Sequence, residues 1–463
     1  MKRRRFLIGS GMVVGGGSAA WAFDRYGIPG THSNPYLEGN FAPVREIVSA
    51  DRLKVTGVIP KELTGLYVRN GPNPMGSPNA KKYHWFQGTG MLHGIRIEEG
   101  KALWYKNRLV QSGGFTPNTH IISHANKIYA VNEAGGRPVE IDTKLDSQDS
   151  QPFQGTLRTG FSAHPKLDSI TGELHAMCYD YASDMDNVHH VVVAGDGRVK
   201  STRAIPLPSR SMLHECAITE NYVLILDLSI LFSFYKLGRG YFPFSWNDEH
   251  QARIGLLDRH GNSSDVKWFD IDPCYIFHTV NAHEDAQGNV VLDAMRYQRL
   301  FDDDWNGPFG EHPALLTRWS LNVSRGTAEE QQLDDIPTEF PRIHPDLAGQ
   351  FNRYGYCLGV GAAKNPDFGR IIKYDLANGS SEVVELGVEK MAAEPVFIPT
   401  ENQESEDEGY LMTYVYDKTV DKSELVIFNA QDLKSGPIAK IGLPQRVPFG
   451  FHGSWIEGEK TLA

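Results

Sequence analysis

The stretch HHVVVAGDGRVKSTRAIPL, residues 189–207, carries the pattern that decides the fold class. Two runs rich in β-branched residues flank the Asp-Gly pair at 196–197, and such pairs favour hairpin turns because they tolerate positive φ. GRIIKYDLANGSSEVVEL, residues 369–386, repeats the arrangement around the Asn-Gly pair at 378–379. Both stretches therefore predict antiparallel β-hairpins.

From about residue 50 onward, the chain alternates short β-rich runs with Gly, Asn or Asp turns, and amphipathic helical periodicity is nearly absent. So many short antiparallel strands, over roughly 400 residues, exceed a single sandwich and predict an all-β propeller. No tight sequence repeat marks the blades, so the pattern leaves their number open. Further runs of this kind are GKALWYKNRLV (100–110), NKIYAVNE (126–133), NYVLILDL (221–228) and GNVVLDAMRYQ (288–298).

Composition excludes several classes of protein. The 463 residues carry a net charge of −11 and no basic run outside the N-terminus, so we expect no nucleic-acid partner. The cysteines are far apart and include no Cys-x-x-Cys pair, which argues against a disulfide framework and a zinc finger. No obligate protein partner is evident from the sequence.

Residues 1–22, MKRRRFLIGSGMVVGGGSAAWA, form a targeting segment of their own. The run Arg3-Arg4-Arg5 before apolar residues resembles a twin-arginine signal, and the end at 20–22, Ala-Trp-Ala, fits a small-x-small cleavage site. We therefore expect export to the periplasm or its equivalent, with an uncleaved N-terminal anchor as the alternative. Residues 23–463 are predicted to form one domain.

Four histidines, His164, His214, His278 and His452, each have apolar or aromatic neighbours in strand-like segments. Neutral imidazole is a good ligand for iron, copper, nickel or zinc, and burying it costs less than burying a carboxylate. Any one of the four alone would more often be a hydrogen-bonded core histidine. Together they predict one metal site that is built from four separate elements.

Three glutamates are candidates to hold these histidines: Glu133, Glu339 and Glu394, which lie in apolar or proline-flanked contexts. A ligand histidine normally donates its second ring nitrogen to a carboxylate or a carbonyl, and this fixes the tautomer. The alternative for each glutamate is an ordinary solvated surface carboxylate.

Ten motifs occur in order from about residue 35 to the C-terminus. They are GLYVRNGPNP, HWFQGTGMLHG, KIYAVNEAG with its preceding Asn-Thr, FSAHPKLDSITGEL, LHECAITENYVLILD, FHTVNAHED, EFPRI, AAEPVFIP, DEGYLMTYVYD and VPFGFHGSW. In these motifs the chain resembles the carotenoid cleavage oxygenases.

This resemblance implies a seven-bladed β-propeller with a dome of loops and short helices over one face. It also implies one Fe(II) per chain bound by the four histidines, with the three glutamates as their carboxylate partners. The implied reaction is cleavage of one C=C bond of an apocarotenoid or carotenoid by O2, which gives two carbonyl products. We expect the apocarotenoid to be the preferred substrate.

Alternative functions remain open from the sequence. A zinc hydrolase normally uses three protein ligands, so a fourth histidine argues against it. A carotenoid-binding propeller without catalysis would not need the ligands, and nothing in the sequence requires an isomerohydrolase. A stilbene-cleaving oxygenase on the same scaffold is disfavoured, because such relatives place a lysine after the dome motif and none occurs between Lys106 and Lys127.

Residues 228–246, LSILFSFYKLGRGYFPFSW, are densely apolar and aromatic, with interleaved cations. They predict a patch that dips into the membrane at a tunnel mouth, where an enzyme could collect a polyene from lipid. The alternative is a buried dome segment. The predicted membrane-access residues are Phe232, Phe234, Tyr235, Leu237, Tyr241, Phe242 and Phe244.

The dome motif departs from the family at one place. The usual Gly-Asp-Gly-Met is Gly-Thr-Gly-Met at residues 88–91, which puts the local dome hydrogen bonding in question. Three further histidines, His84, His93 and His283, are predicted to be structural or to lie outside the ligand set.

Overall fold

The computed structural model describes residues 33–112, 116–261, 264–361 and 368–458. They form seven β-sheets that are the blades of a propeller, and an eighth, two-stranded sheet lies apart. The all-β class and the seven blades implied by the family resemblance are confirmed. The predicted targeting segment, residues 1–22, lies outside the described residues.

Thirty-three strands make up these sheets in the described part of the chain. The first seventeen are β1 (Ser49–Ala50), β2 (Lys54–Gly57), β3 (Gly65–Arg69), β4 (Pro72–Asn73), β5 (Thr89–Glu98), β6 (Lys101–Leu109), β7 (His120–His124), β8 (Lys127–Val131), β9 (Val139–Ile141), β10 (Lys166–Leu167), β11 (Leu174–Asp180), β12 (Asp184–Val193), β13 (Val199–Pro206), β14 (Cys216–Ile218), β15 (Tyr222–Asp227), β16 (Ile230–Phe232) and β17 (Phe244–Trp246). The others are β18 (Arg253–Asp258), β19 (Val266–Asp270), β20 (Tyr275–Glu284), β21 (Val290–Tyr297), β22 (Ala314–Asn322), β23 (Thr327–Gln332), β24 (Thr338–Arg342), β25 (Tyr354–Gly359), β26 (Arg370–Asp375), β27 (Ser380–Glu385), β28 (Lys390–Ala392), β29 (Val396–Pro399), β30 (Gly409–Asp417), β31 (Lys422–Asn429), β32 (Pro437–Gly442) and β33 (Gly453–Glu457).

Helical structure in the described part of the chain is limited to short pieces. Its one α-helix, α1 (Phe234–Gly238), connects β16 to β17, and no helix in the described ranges is long and apolar enough to cross a membrane. The 3₁₀ turns are Pro35–Leu37, Gly39–Phe41, Pro152–Gly155, Pro345–Leu347 and Leu433–Ser435.

The blades follow one another around the propeller and are antiparallel throughout. Blade 1 has the order β1-β6-β5-β3-β33 with β4 beside β5, blade 2 is β7-β8-β9, blade 3 is β10-β11-β12-β13, blade 4 is β14-β15-β18-β19, blade 5 is β20-β21-β22-β23, blade 6 is β24-β25-β26-β27, and blade 7 is β2-β32-β31-β30-β28 with β29 beside β30.

The predicted hairpins around 196–197 and 378–379 both form. In blade 3, β12 pairs with β13 across the first turn, where Gly197 has a φ of +83°. In blade 6, β26 pairs with β27 across the second, where Gly379 has a φ of +73°. A glycine at each position avoids the clash that a side chain would meet at positive φ.

Burial falls from the centre of a blade outward, and this explains the sequence pattern. The middle strand β15 is almost entirely buried, whereas the edge strand β23 is exposed along most of its length. Strands covered on both faces read as continuous apolar runs, while the half-covered ones alternate. Five apolar clusters of the described residues fill the blades and the spaces between them, and one of these clusters extends into the N-terminal turns and the dome through Tyr36, Phe41 and Trp85.

Two pairings close the ring. The last described strand, β33, pairs with β3 inside blade 1, with Leu66 opposite Ile456. The early strand β2 pairs with β32 and so completes blade 7, with Val55 opposite Ile441. A closed ring leaves no open side in the circle of blades, which limits unpaired edges to short outer strands.

The dome consists of three connecting segments, residues 70–88, 228–250 and 297–313, that pack on one another through aromatic rings; the second carries β16, α1 and β17. His84 from the first stacks on Phe242 from the second at 3.8 Å between ring centroids, and meets Phe301 from the third at 5.0 Å. Trp85 contacts Phe451 at 4.6 Å, directly beside His452. The dome therefore covers the end of the propeller that holds the histidines.

Candidate metal centre and substrate cavity

The innermost strands of four blades bring the four predicted histidines together. His164 precedes β10 in blade 3, His214 precedes β14 in blade 4, His278 lies within β20 in blade 5, and His452 precedes β33 in blade 1. One nitrogen of each ring lies within 4.8 Å of those of the other three, and all four residues are buried. This convergence is what a four-histidine metal site requires.

Three of the rings have a carboxylate behind them, and the carboxylates are the three predicted glutamates. Each carboxylate accepts a hydrogen bond from the Nδ1 of one imidazole, which leaves the Nε2 of that imidazole directed to the shared centre. The pairs are His214 with Glu133 Oε1 at 2.9 Å, His278 with Glu339 Oε2 at 2.5 Å, and His452 with Glu394 Oε1 at 2.9 Å.

His164 differs from the other three because it has no carboxylate partner. Its Nε2 is buried and makes no hydrogen bond within the described ranges. Buried ring nitrogens in folded proteins nearly always have a partner, so this atom lacks something that the protein chain does not supply. A metal ion at the centre would satisfy it.

Metal coordination needs neutral imidazoles, and electrostatics favour the neutral form at two of the four histidines. Burial lowers the pKa of both His164 and His452 well below the usual value, and the neighbouring histidines lower it further. Burial also opposes the charged form of His278, but the Glu339 carboxylate outweighs it, so the pKa of His278 is raised. The residues present fit a metal ion by donor type and by spacing.

A β-bulge aims His278 at the centre. In the pairing of β20 with β21, Ile276 lies opposite Arg296 and Thr279 opposite Ala294, so two residues of β20 face Met295 alone. The two are Phe277 and His278. Regular alternation would send them to opposite faces, whereas both line the same cavity.

Strained backbone accompanies two of the glutamates. Ala134, directly after Glu133, has a φ of +57°, and Phe340, directly after Glu339, has a φ of +53°. Such conformations cost about 1 to 3 kcal/mol for a residue with a side chain and persist only where the surroundings enforce them. In the second case the Phe340 N–H donates to Glu339 Oε2 at 2.5 Å, which fixes the carboxylate beside His278.

A fifth histidine, His120, was not singled out from the sequence. It begins the innermost strand of blade 2, and its ring lies 5.1 Å from that of His452 and 5.9 Å from that of His164. Its nitrogens are occupied, with Nδ1 at 3.1 Å from the Ala163 carbonyl and Nε2 at 3.3 Å from Ser454 Oγ. His120 thus supports the backbone next to His164. Its place at the head of a blade is the one sequence signal that could have found it.

A cavity of about 570 Å³ opens over the centre and is lined by His214, His278 and His452. One wall is aromatic and comes from the dome and from blades 1, 5 and 6. Polar lining residues come from the segments 87–89 and 116–134. The aromatic wall includes Trp85, Phe86, Phe242, Phe277, Tyr297, Phe309, Phe340 and Phe451.

The altered dome motif at residues 88–91 is held by a neighbour. Asn118 donates from its amide to the carbonyls of Phe86 and Gly88, each at 3.0 Å. Gly90 must be a glycine, because a Cβ there would lie 1.9 Å from the Pro117 carbonyl oxygen. The turn is therefore stabilised without an aspartate at position 89.

Three of the predicted membrane-access residues are exposed together. Phe234, Tyr235 and Leu237 lie on α1 with 53%, 71% and 50% of their surfaces accessible. Leu237 also lines the cavity, so α1 stands at its mouth. Lys236 and Arg239 flank the same side chains.

The remaining members of that set are less accessible, and one prediction is wrong. Phe244 is 4% exposed, because β17 turns it into the core beside Phe232 and Tyr179, and it cannot reach a membrane. Phe242 packs on His84 and forms cavity wall, while Phe232 and Tyr241 are half-buried.

The other three histidines lie outside the four-histidine group. His84 is enclosed in the dome, and Phe86 donates its backbone N–H to the Nδ1 of His84. His93 pairs with the Tyr105 hydroxyl at 2.9 Å, and His283 meets the ring of Phe351.

Comparison with known proteins agrees with this geometry. The family model described as Retinal pigment epithelial membrane protein matches residues 41–117 and 113–457. A carotenoid cleavage oxygenase of Mycobacterium tuberculosis is 37% identical over 91% of this chain and 97% of its own length. A carotenoid 9,10(9',10')-cleavage dioxygenase of Phaseolus vulgaris is 30% identical over 92% and 90%.

A solved structure shows the same architecture. The lignostilbene dioxygenase of Pseudomonas brassicacearum superimposes with a TM-score of 0.84 and 26% identity, over 93% of this chain and all of that one. Sequence, fold and the buried histidine group therefore lead to one assignment. The chain belongs to the carotenoid cleavage oxygenase family.

Proposed function

We propose that the protein is an Fe(II) dioxygenase that cleaves one C=C bond of an apocarotenoid or carotenoid with O2. Both oxygen atoms enter the products, which are two carbonyl compounds. The observation that carries this proposal is the group of four converging histidines, three of them backed by carboxylates, at the base of an aromatic cavity. The names of the similar proteins support an oxygenase that acts on polyenes.

Iron is proposed from donor chemistry and family membership together. Four imidazoles suit iron, copper, nickel or zinc, so the ligand set alone does not choose among them. A ferrous ion at the centre would supply the activation of dioxygen that the cleavage reaction needs. Zinc cannot take part in redox chemistry, and a four-histidine zinc site would be closed.

The chain's own residues would position the substrate and keep the centre dry. Phe86, Phe277 and Phe451 pack edge to face beside the histidines and present flat surfaces to a polyene. Positional control of this kind decides which double bond reaches the centre. Glu133, Glu339 and Glu394 hold the imidazoles and do not contact the substrate in this scheme.

We further propose that α1 collects the substrate from a lipid surface. Its apolar side chains are exposed at the cavity mouth, and the exposed Arg239 beside them would face anionic headgroups. The Lys236 ammonium instead donates to the Phe244 carbonyl at 3.2 Å. A long polyene has negligible solubility in water, so the protein would have to take it up from lipid.

For the N-terminus we propose export by the twin-arginine route, with retention as an anchor as the alternative. Lysine substitution of Arg3, Arg4 and Arg5 should trap the protein inside the cell. Recovery of intact Met1 from the exported pool would favour the anchor.

Product analysis tests the main proposal. The iron-loaded protein is incubated under ¹⁸O2 with apocarotenals, β-carotene and resveratrol, and the products are identified by mass spectrometry. We expect two labelled carbonyl products from an apocarotenal and none from the His214→Ala variant. Selective cleavage of resveratrol would establish the stilbene alternative, and binding of polyenes without cleavage would establish a carotenoid-binding protein.

A further inference from the structure

Together with Trp85 and Glu339, Asn132 is one of three described residues of the cavity wall with a buried side-chain atom that has no hydrogen-bond partner. It follows β8, lines the cavity and is 7% exposed. Its Oδ1 is buried without a partner, and no group in the described ranges hydrogen-bonds its amide. The Nδ2 donor of this amide is therefore available to a ligand group that enters the cavity.

Its neighbours among the polar lining residues are already occupied. Asn118 donates to two backbone carbonyls and accepts from the Thr119 hydroxyl at 3.1 Å. Thr116 Oγ1 accepts from the Gly90 N–H, and Gln87 Oε1 accepts from the His84 N–H. These side chains hold the dome to blade 2, whereas Asn132 holds nothing.

The Asn132 amide packs against the backbone at Gly136. Its Oδ1 lies against Gly136, where an added Cβ would come within 1.7 Å of it. Gly136 is itself fixed, because its carbonyl accepts from the Phe161 N–H at 2.9 Å. Because Oδ1 is buried, Nδ2 is the amide atom that a ligand in the cavity could reach.

Asn132 is also next to the histidine centre. Consecutive Cα atoms are about 3.8 Å apart, and the adjacent Glu133 hydrogen-bonds His214. An oxygen atom bound at Asn132 would therefore lie on the side of the centre formed by blade 2, a short distance from the bond that is cut.

We propose that Asn132 is a specificity-determining residue that donates a hydrogen bond to an oxygen atom on the polyene. The inference rests on the proposed function and narrows its substrate class: the protein selects polyenes that carry a carbonyl or hydroxyl oxygen close to the scissile bond. Hydrocarbon carotenes would leave the amide unpaired and bind less well.

Binding measurements test this directly, because Trp85 lines the same cavity and a bound polyene quenches tryptophan fluorescence. The probes are β-apo-8'-carotenal, the matching alcohol and the matching hydrocarbon of equal chain length. One hydrogen bond predicts that the native protein binds the aldehyde about tenfold more tightly than the hydrocarbon.

Two variants of similar size separate the roles of the amide. Asn132→Leu should remove the preference for oxygen while it still binds the hydrocarbon. Asn132→Asp can accept but, when ionised, cannot donate, so it should lose the aldehyde preference and retain the alcohol. Unchanged melting temperature and metal content in both would exclude a folding defect.

The binding results distinguish failure of the Asn132 role from failure of the proposed function. Equal binding of aldehyde and hydrocarbon by the native protein overturns the role of Asn132 and leaves the oxygenase proposal standing. The same follows if Asn132→Leu keeps the full preference. Failure of the native protein to bind any of the three polyenes overturns the proposed function and this inference with it.

Discussion

The inner ring of strands and the dome above it both place side chains around one cavity, but different forces hold them. In the ring, backbone register and bulges position His278 and Glu339, and buried hydrogen bonds orient the imidazoles. In the dome, aromatic stacking such as that of His84 on Phe242 does the positioning. Hydrogen bonds depend strongly on geometry, so we expect substitutions in the inner strands to weaken metal binding. Substitutions in the dome should instead weaken substrate capture.

The strongest test of this division removes one imidazole from the inner strands. His214→Ala should lose the metal and all activity, because one of four donors and the partner of Glu133 disappear together. Metal analysis of the purified variant measures the loss. His283→Ala is the matched control, since His283 lies outside the group, and full metal retention by His214→Ala would remove His214 from the ligand set.

A smaller effect is expected from the carboxylates. Glu339→Gln keeps the shape but weakens the charge-assisted bond to His278, so metal affinity should fall by roughly 10- to 100-fold while the protein remains folded. Competition with a chelator gives the affinity. Glu389→Gln, which changes an exposed ion pair with Lys418, is the control and should leave the metal affinity unchanged. Native metal affinity in Glu339→Gln would mean that this carboxylate does not influence the centre.

The dome side of the comparison is tested at α1. Serine at Phe234, Tyr235 and Leu237 together should reduce binding to anionic vesicles by about tenfold, since exposed apolar surface is lost. Metal content should be unchanged, because α1 does not contact the four histidines. Val420→Ser is a control at another exposed apolar residue, and undiminished vesicle binding by the triple variant would refute the membrane role of α1.

The smallest effect is expected at His120, which supports the backbone beside His164, the histidine without a carboxylate partner. His120→Leu removes the bond to the Ala163 carbonyl beside His164, so metal release should accelerate by a few-fold, about the worth of one neutral hydrogen bond. Release kinetics measure it. His124→Leu on the same strand is the control. Equal rates of metal release in both variants would mean that His120 only fills space in the core and does not support His164.

The sequence predicted the strands, the histidines and the glutamates because each lies in a local pattern with a physical reason. A glutamate next to proline or among apolar residues is unusual, and this marked Glu394 and Glu339. The number of blades needed the family resemblance, since blade 2 has three strands and blade 1 has six, so no constant repeat length exists.

What could not be predicted depends on tertiary packing. The segment from 228 to 246 is uniformly apolar, so nothing in it separates the buried Phe244 from the exposed Phe234. His120 is a single histidine in a β-rich run, which is common in cores. The unpaired amide of Asn132 becomes visible only when the groups around it are known.

The closing strand β33 has a consequence for the order of assembly. Three of the histidines lie between residues 164 and 278, but His452 enters only with β33, 174 residues later. At 5 to 20 residues per second, synthesis of that interval takes roughly 10 to 30 s. A nascent chain therefore carries an incomplete, three-histidine centre for that time, and full-affinity metal loading has to wait until the propeller closes.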